Sequence, residues 1–271
     1  MEAVISSPQN AQLKLVRKLQ RRRTREQEGA FVVEGEDLVR AGLDTGAVAK
    51  VILVDAERAP EIRLERASCP ILQVEPKLLA EVSELAHPPR IIAIFELPTS
   101  RDLVELMDER AQAGATGPWL ALDGLADPGN VGTVLRTCAA FGGAGIIALP
   151  GTSDPWGGKA VRASMGACFR VPIARLDGAG MDIATELDAV RAAQPALRIV
   201  ALDAAGAVPL WEVPMDADTI IVVGGERDGI SDAIYASADV VASIPQDPDV
   251  ESVNAGVAAS AALYEWKRRN G

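Results

Sequence analysis

The sequence predicts an α/β protein: a parallel sheet in the C-terminal part, with a smaller α/β unit ahead of it. Three observations carry that prediction. Runs of three to five residues rich in Val, Ile and Leu recur along the chain, most of them followed by a stretch of helical character. The runs after Pro118 are apolar throughout rather than alternating, as strands buried on both faces by crossover helices must be. Hydrophobic residues make up 48% of 271 positions and charged residues 24%, enough apolar surface for a sizeable core and too little charge for a disordered chain.

The first segment reads as one helix, with Asn10 as its cap. Leu13, Leu15, Val16 and Leu19 give apolar contacts, while Lys14, Arg17, Lys18 and Arg21–Arg23 point elsewhere. Phe31-Val32-Val33 is a short strand, and a helix over Glu36–Leu43 ends near Gly46. Val51–Val54, Ile71–Val74 and Ile91–Phe95 are further strands, with a helical stretch around Pro76–Leu85 between the last two. This first domain, residues 1–98, closes at Leu97-Pro98. Residues 99–117 form a linker, a helix over Arg101–Ala113 followed by the breaker run that starts at Gly114. The second domain, residues 118–271, takes its strands from Trp119–Leu122, Gly145–Leu149, Ile199–Leu202, Ile220–Val223 and Val240–Ile244. Its last helix, Ala255–Arg269, has Val257, Ala261 and Tyr264 on one face and Lys267-Arg268-Arg269 against its C-terminal dipole.

Composition excludes several chemistries. Cys69, Cys138 and Cys168 are spaced for neither a disulfide framework nor a zinc site. The one histidine, His87, lies in a His-Pro-Pro turn, where a structural role is the expectation, so zinc and Ser-His-Asp schemes are disfavoured and no metal is expected. No apolar run reaches the ~18–20 residues that span a bilayer, and MEAVISSPQN lacks the pattern of a signal peptide. A reduced, cytoplasmic protein without membrane contact is the expectation. Lys and Arg number 27 against 38 Asp and Glu, a net charge of -11, which argues against a polyanion held by diffuse positive charge. Residues 1–30, however, hold seven basic and three acidic groups, a local +4 that leaves -15 for the rest.

Three loops of the second domain follow strands, where ligands collect in open α/β sheets. The first, Asp123–Gly132, leads into a helix for which Asn130 is a good N-cap and Val131, Val134, Leu135 and Cys138 form the apolar stripe. Arg136 then lies about 140° from Val131, on the polar side with Thr133 and Thr137; a solvated charge and a functional group are equally open readings. The second loop, Gly224-Gly225-Glu226-Arg227-Asp228-Gly229, carries paired glycines that allow close approach of a ligand or simply a tight turn. It has no phosphate-loop Gly-Lys-Ser/Thr, and Gly142-Gly143-Ala144-Gly145 follows a helix rather than a strand, so neither nucleotide fingerprint is met. In the third, Ile244–Asn254, Ser252 and Asn254 crowd the start of the last helix, where capping is the simpler reading.

In this order and spacing the loops resemble the three signature motifs of the SpoU/TrmH family of RNA ribose 2′-O-methyltransferases, in the SPOUT superfamily. The matching pieces are Asp127-Pro128-Gly129-Asn130-Val131-Gly132 with Arg136-Thr137, Gly224-Gly225-Glu226 with Gly229, and Ile244-Pro245 with Glu251-Ser252-Val253-Asn254. Arg162–Ala167 and Val171-Pro172 are similar to the segment between the family's first two motifs. Residues 5–97 are more loosely similar to its accessory RNA-binding domain, through Ile5-Ser6-Ser7, Asn10, Arg25 and Phe31–Gly35. Val253 stands where the family usually has Leu, and Arg227-Asp228 replaces a more usual pair; neither removes a catalytic group.

The resemblance implies a catalytic sheet whose end threads into a deep trefoil knot, S-adenosylmethionine as cofactor, and a homodimer formed through the C-terminal domain. It assigns Asn130, Arg136, Glu226, Ser252 and Asn254 to catalysis, and Leu122, Gly224, Gly225, Ile244 and Val253 to the cofactor. RNA contacts fall to Lys14, Arg17, Lys18, Arg21, Arg22, Arg23, Arg25 and Arg162. The accessory domain favours ribosomal over transfer RNA as substrate. The alternatives are a tRNA substrate, or a non-catalytic RNA-binding or ribosome-assembly factor that keeps the fold.

Overall fold

A computed structural model describes residues 4–58, 64, 66–87, 89–99, 101–176, 183–247, 249 and 252–271. The chain forms two compact units, Met1–Thr99 with Asp154–Arg170 and Ser100–Ser153 with Val171–Gly271.

The first unit begins with α1 (Ala11–Leu19), capped as expected by Asn10, whose side chain accepts the Gln12 N–H at 2.8 Å. The basic segment is not one helix. It breaks at Gln20-Arg21 and resumes as α2 (Arg22–Glu28), which ends on Gly29 in the left-handed region. The break has a cause in Arg25, whose Nη1 reaches back to the carbonyls of Leu19 and Gln20 at 2.8 and 3.0 Å and satisfies acceptors that a helix end leaves open. There follow β1 (Ala30–Glu34), α3 (Glu36–Asp44), β2 (Ala49–Asp55), β3 (Ile71–Val74), α4 (Pro76–Val82) and β4 (Ile91–Glu96). The sheet order is β1-β4-β2-β3, with β4 antiparallel to both neighbours and β3 parallel to β2. One face buries Leu13, Val16 and Leu19 of α1 against Leu53, Ile92 and Ile94. On Phe31 and Phe95 the ring of Phe169 stacks at centroid distances of 5.7 and 5.0 Å. Two covered faces explain why β4 is apolar along nearly all its length.

The second unit contains α5 (Leu103–Gln112), β5 (Trp119–Asp123), α6 (Pro128–Phe141) and β6 (Gly145–Ala148). The chain then leaves it for α7 (Gly158–Ser164) and returns with β7 (Ile173–Arg175), α8 (Ile183–Ala193), β8 (Arg198–Leu202), β9 (Val208–Pro209), β10 (Thr219–Gly224), α9 (Asp232–Ser237), β11 (Val240–Ser243) and α10 (Ala255–Asn270). Seven strands pair in the order β7-β6-β5-β10-β8-β11-β9, every ladder parallel. The sequence predicts five of them; β7 and β9, three and two residues long, are too short to show a pattern. Strand order reverses between β5 and β10, so the loops leaving their carboxyl ends lie side by side at a switch point. Helix α10 packs on α6 and is pinned at its far end by Arg269, which donates to the carbonyls of Val213 and Leu210 at 2.9 and 2.8 Å. The Arg268 and Arg269 guanidiniums hold the Glu265 carboxyl down at about 2.

Residues 154–170 are expected in the second domain but pack in the first unit. Arg25, expected to face RNA, is what holds them there. Its Nε and Nη2 meet Asp154 Oδ2 at 2.9 and 2.5 Å, with the two side chains only 6% and 10% exposed. All the hydrogen-bonding edges of the guanidinium that the structure shows in use are spent inside the unit. A desolvated charge of this kind is costly to orphan. Replacing Arg25 or Asp154 alone by Ala should therefore lower unfolding stability by about 3–5 kcal/mol, and replacing both should cost less than the sum. Urea denaturation reads this directly; a loss under about 1 kcal/mol for Arg25→Ala, as at an exposed pair, would mean Arg25 is no strut.

Candidate active site

The first loop leaves β5 through Gly124, in the left-handed region at φ 69°, and enters α6 a turn earlier than expected. Pro128, with its preset φ and no N–H to satisfy, is the first helical residue. Asn130 is thus not the N-cap but sits inside the first turn, its own N–H on the Asp127 carbonyl. That frees its side chain, and Asn130 Nδ2 donates to Glu226 Oε1 of the second loop. The predicted stripe Val131, Val134, Leu135 and Cys138 is fully buried, and burial pushes the Cys138 thiol up to about 12. Arg136 projects to solvent and makes no hydrogen bond or ion pair with a described residue.

Asp123 ties this loop to the second. Its carbonyl accepts Gly225 N–H at 2.8 Å and its carboxylate accepts Ser231 N–H at 2.8 Å. The paired glycines are required by the chain itself. A Cβ on Gly224 would stand 2.3 Å from the Gly229 carbonyl, and one on Gly225 2.5 Å from the Gly124 oxygen. In the third loop Asn254 caps α10, accepting the Gly256 and Val257 N–H groups at 2.9 and 3.3 Å. Gly256 faces the start of α6, its Cβ position 3.4 Å from Asn130 Oδ1. Lower down, the hydroxyls of Thr137 and Ser260 meet at 2.9 Å. Glu251 lies outside the described residues.

A cavity of about 540 Å³ opens between the carboxyl ends of β8, β10 and β11 and the start of α10. Of the residues expected there, Gly224, Gly225, Glu226, Ile244, Ser252, Val253 and Asn254 line it. Leu122 does not. Its side chain is fully buried within β5, and its carbonyl is taken by Leu149 N–H and Thr152 Oγ1 at 3.0 and 2.6 Å. Asn130 reaches the site through Glu226, whereas Arg136 is not in the wall. Asp203 and Gln246 line the cavity and escape sequence reasoning; Asp203 directly follows β8 and Gln246 comes three residues after β11, and this place at the carboxyl edge is the one signal that could have found them. Asp203 accepts the Tyr235 hydroxyl and the Ala205 N–H, and its carboxylate pushes the Tyr235 phenol up to about 12.

The expected RNA-facing residues divide. Lys14, Lys18, Arg21 and Arg23 are exposed, with no ion pair to a described residue. Arg17 lies 3.7 Å from Glu81 and Arg22 pairs with Glu26 at 2.8 Å. Arg25 is buried, and Arg162 lies 3.4 Å from Glu84 and 3.9 Å from Glu34. Among the described residues no cluster of His, Cys, Asp and Glu could hold a metal ion, and no helix is long and apolar enough to cross a membrane.

A parallel α/β domain with a ligand-sized cavity at its switch-point loops, in a chain that also has a small mixed α/β unit, defines a class of two-unit ligand-binding protein. The chain belongs to the SpoU rRNA methylase family, whose model matches residues 118–264. Residues 10–93 match the MRM3-like substrate binding domain. The chain is 27% identical to the 23S rRNA (guanosine(2553)-2′-O)-methyltransferase RlmP of Bacillus subtilis, over 97% of this chain and 98% of that one. It is 29% identical to the 23S rRNA (uridine(2479)-2′-O)-methyltransferase of Streptomyces viridochromogenes, over 92% and 86%. Among solved structures it is similar to the SpoU methyltransferase AviRb from Streptomyces viridochromogenes in complex with AdoMet, at TM-score 0.85 and 27% identity over 97% and 98% of the two chains. The AdoMet-bound rRNA methyltransferase from Sinorhizobium meliloti is similar at TM-score 0.80 and 29% identity, over 99% and 98%.

Because the Gly224 Cβ position is filled by backbone, Gly224→Ala should destabilise by about 1–3 kcal/mol and distort the second loop. Thermal denaturation and ligand binding measured together should both fall; unchanged melting would show that the loop has room the geometry denies.

Proposed function

We propose that this protein transfers a methyl group from S-adenosylmethionine to a ribose 2′-hydroxyl of 23S-type ribosomal RNA, as a cytoplasmic homodimer. The observation that carries the reading is the meeting of the second and third motif loops at one cavity, with Asn130 of the first loop bonded to Glu226 in its wall. The cavity fits the cofactor: its volume lies in the range of small-ligand sites, and its wall mixes apolar Leu202, Ile244 and Val253 with polar Glu226, Ser252 and Asn254. When bound, S-adenosylmethionine supplies a methyl group already activated by its sulfonium charge.

The protein's own task is then to align a weak nucleophile and to stabilise charge as it develops on the ribose oxygen. Arg136 suits the second part. A guanidinium is too basic to take a proton, but it is a strong fixed donor toward an alkoxide. Asn130 and Glu226 hold each other and position the nucleotide, and Ser252 and Asn254 complete the polar wall. Arg136 stands outside the wall of its own cavity, which supports a site completed by a second copy. Val257 and Tyr264, 55% and 56% exposed on α10, offer the apolar face for it, with Phe141 of α6 edge-on to Tyr264. The trefoil knot belongs to the same reading. Lys14, Lys18, Arg21 and Arg23 form the RNA grip, which is how a chain of net charge -11 holds a polyanion.

Transfer of tritiated methyl to ribosomal RNA tests the activity, and Arg136→Ala should lower it at least ~100-fold while cofactor binding persists. If wild type and Arg136→Ala are equally inert on every RNA yet both bind it, the protein is a binding or assembly factor instead. Replacing Lys14, Lys18, Arg21 and Arg23 by Ala should weaken RNA binding and reduce its log–log salt slope by roughly 3. An unchanged slope would move the RNA surface elsewhere.

A further inference from the structure

Among the described residues, the wall of the cavity contains a buried polar atom that the protein leaves unused. Gln246 follows β11 by three residues, in the run Ile244-Pro245-Gln246, and lines the cavity with Ile244. Its side-chain oxygen is buried and has no hydrogen-bond partner. An acceptor removed from water and left unpaired is destabilising, and native proteins keep few of them. Here the vacancy adjoins the cavity, so the missing donor is one that a ligand can bring.

Two features say which part of the ligand brings it. Strand β11 is separated from β10 by β8, so the strand end from which the chain runs to Gln246 lies two strand spacings, ~10 Å, from the β10 end that leads to Glu226. If Glu226 and Asn130 mark the reacting end, Gln246 marks the opposite one. The apolar part of the wall, Leu202, Ile244 and Val253, suits a flat ring rather than an ammonium or carboxylate. A primary amide beside such a surface matches the edge of adenine: its oxygen accepts from the exocyclic amine, and its nitrogen donates to a ring nitrogen beside that amine.

We propose that Gln246 reads the adenine edge of the cofactor through its side chain, and so makes the site selective for a 6-amino purine. The proposal rests on the methyltransferase reading above. Gln246 is a specificity-determining residue that takes no part in the transfer itself.

Calorimetric binding of S-adenosylhomocysteine and of S-inosylhomocysteine, in which an oxo group replaces the amine, tests it without turnover. Wild type should prefer the adenosyl compound by about tenfold or more. Gln246→Met, similar in size, should bind it about 5- to 20-fold more weakly and bring the two compounds within about threefold of each other. Gln246→Glu, which keeps an acceptor oxygen, should retain a preference for the adenosyl compound. An unchanged affinity in Gln246→Met overturns the proposal, as does a loss that is equal for both compounds. Wild type that binds neither compound defeats the methyltransferase reading together with it, so the two failures are told apart.

Discussion

Asp123 is held from two sides at once: its backbone carbonyl takes the N–H of Gly225, and its carboxylate takes the N–H of Ser231. The residue is the last of β5 and is nearly buried, so these bonds are made where water competes poorly. They fix the loop after β10 against the loop after β5, at the point where strand order reverses. The closeness this imposes demands glycine at 225, while glycine at 224 is demanded by the return of its own loop through Gly229. It also brings Glu226 to Asn130. The third loop joins through packing rather than through this bond, because α10 lies on α6 with Gly256 facing Asn130. A site assembled from three separated stretches of sequence therefore depends on one well-satisfied carboxylate.

Much of this was legible in the sequence, and the misses have physical causes. The edge strand Ile71–Val74 read to the residue because its short run of apolar residues is bounded by Pro70 and by Glu75-Pro76. Asn10 read correctly as a cap, whereas Asn130 did not. The same residue type occurs at both, but Pro128 starts the second helix early and turns Asn130 from a cap into a side chain available for Glu226. Leu122 carried no local mark separating a strand residue whose carbonyl is free from one whose carbonyl is taken. Residue pattern reports periodicity and turn chemistry, and it does not report which hydrogen-bonding groups are already spent.

Arg25 shows the same limit for charge. In sequence it is the last of a basic run; in the structure its neighbours face solvent while it is enclosed with Asp154. Lys14, Lys18, Arg21 and Arg23 keep their charges in water, available to a polyanion, and their spacing along α1 and into α2 gathers them. The overall acidic balance and a local basic surface are thus compatible, since in salt the potential near a surface is set mainly by the charges closest to it.

The pairing of Arg25 with Asp154 has a consequence for synthesis. A ribosome releases the N-terminal unit's four strands before the second unit begins, yet α7 and Phe169, which cover part of that unit, emerge only after β5, α6 and β6. Until Asp154 and then Phe169 leave the exit tunnel, the Arg25 guanidinium lacks its carboxylate and the rings of Phe31 and Phe95 lack one neighbour. The first unit is thus first to begin but cannot finish until part of the second has been made. Its completion is coupled to the start of the catalytic sheet, and a chain stopped at the end of β4 lacks the charge and the ring that close it.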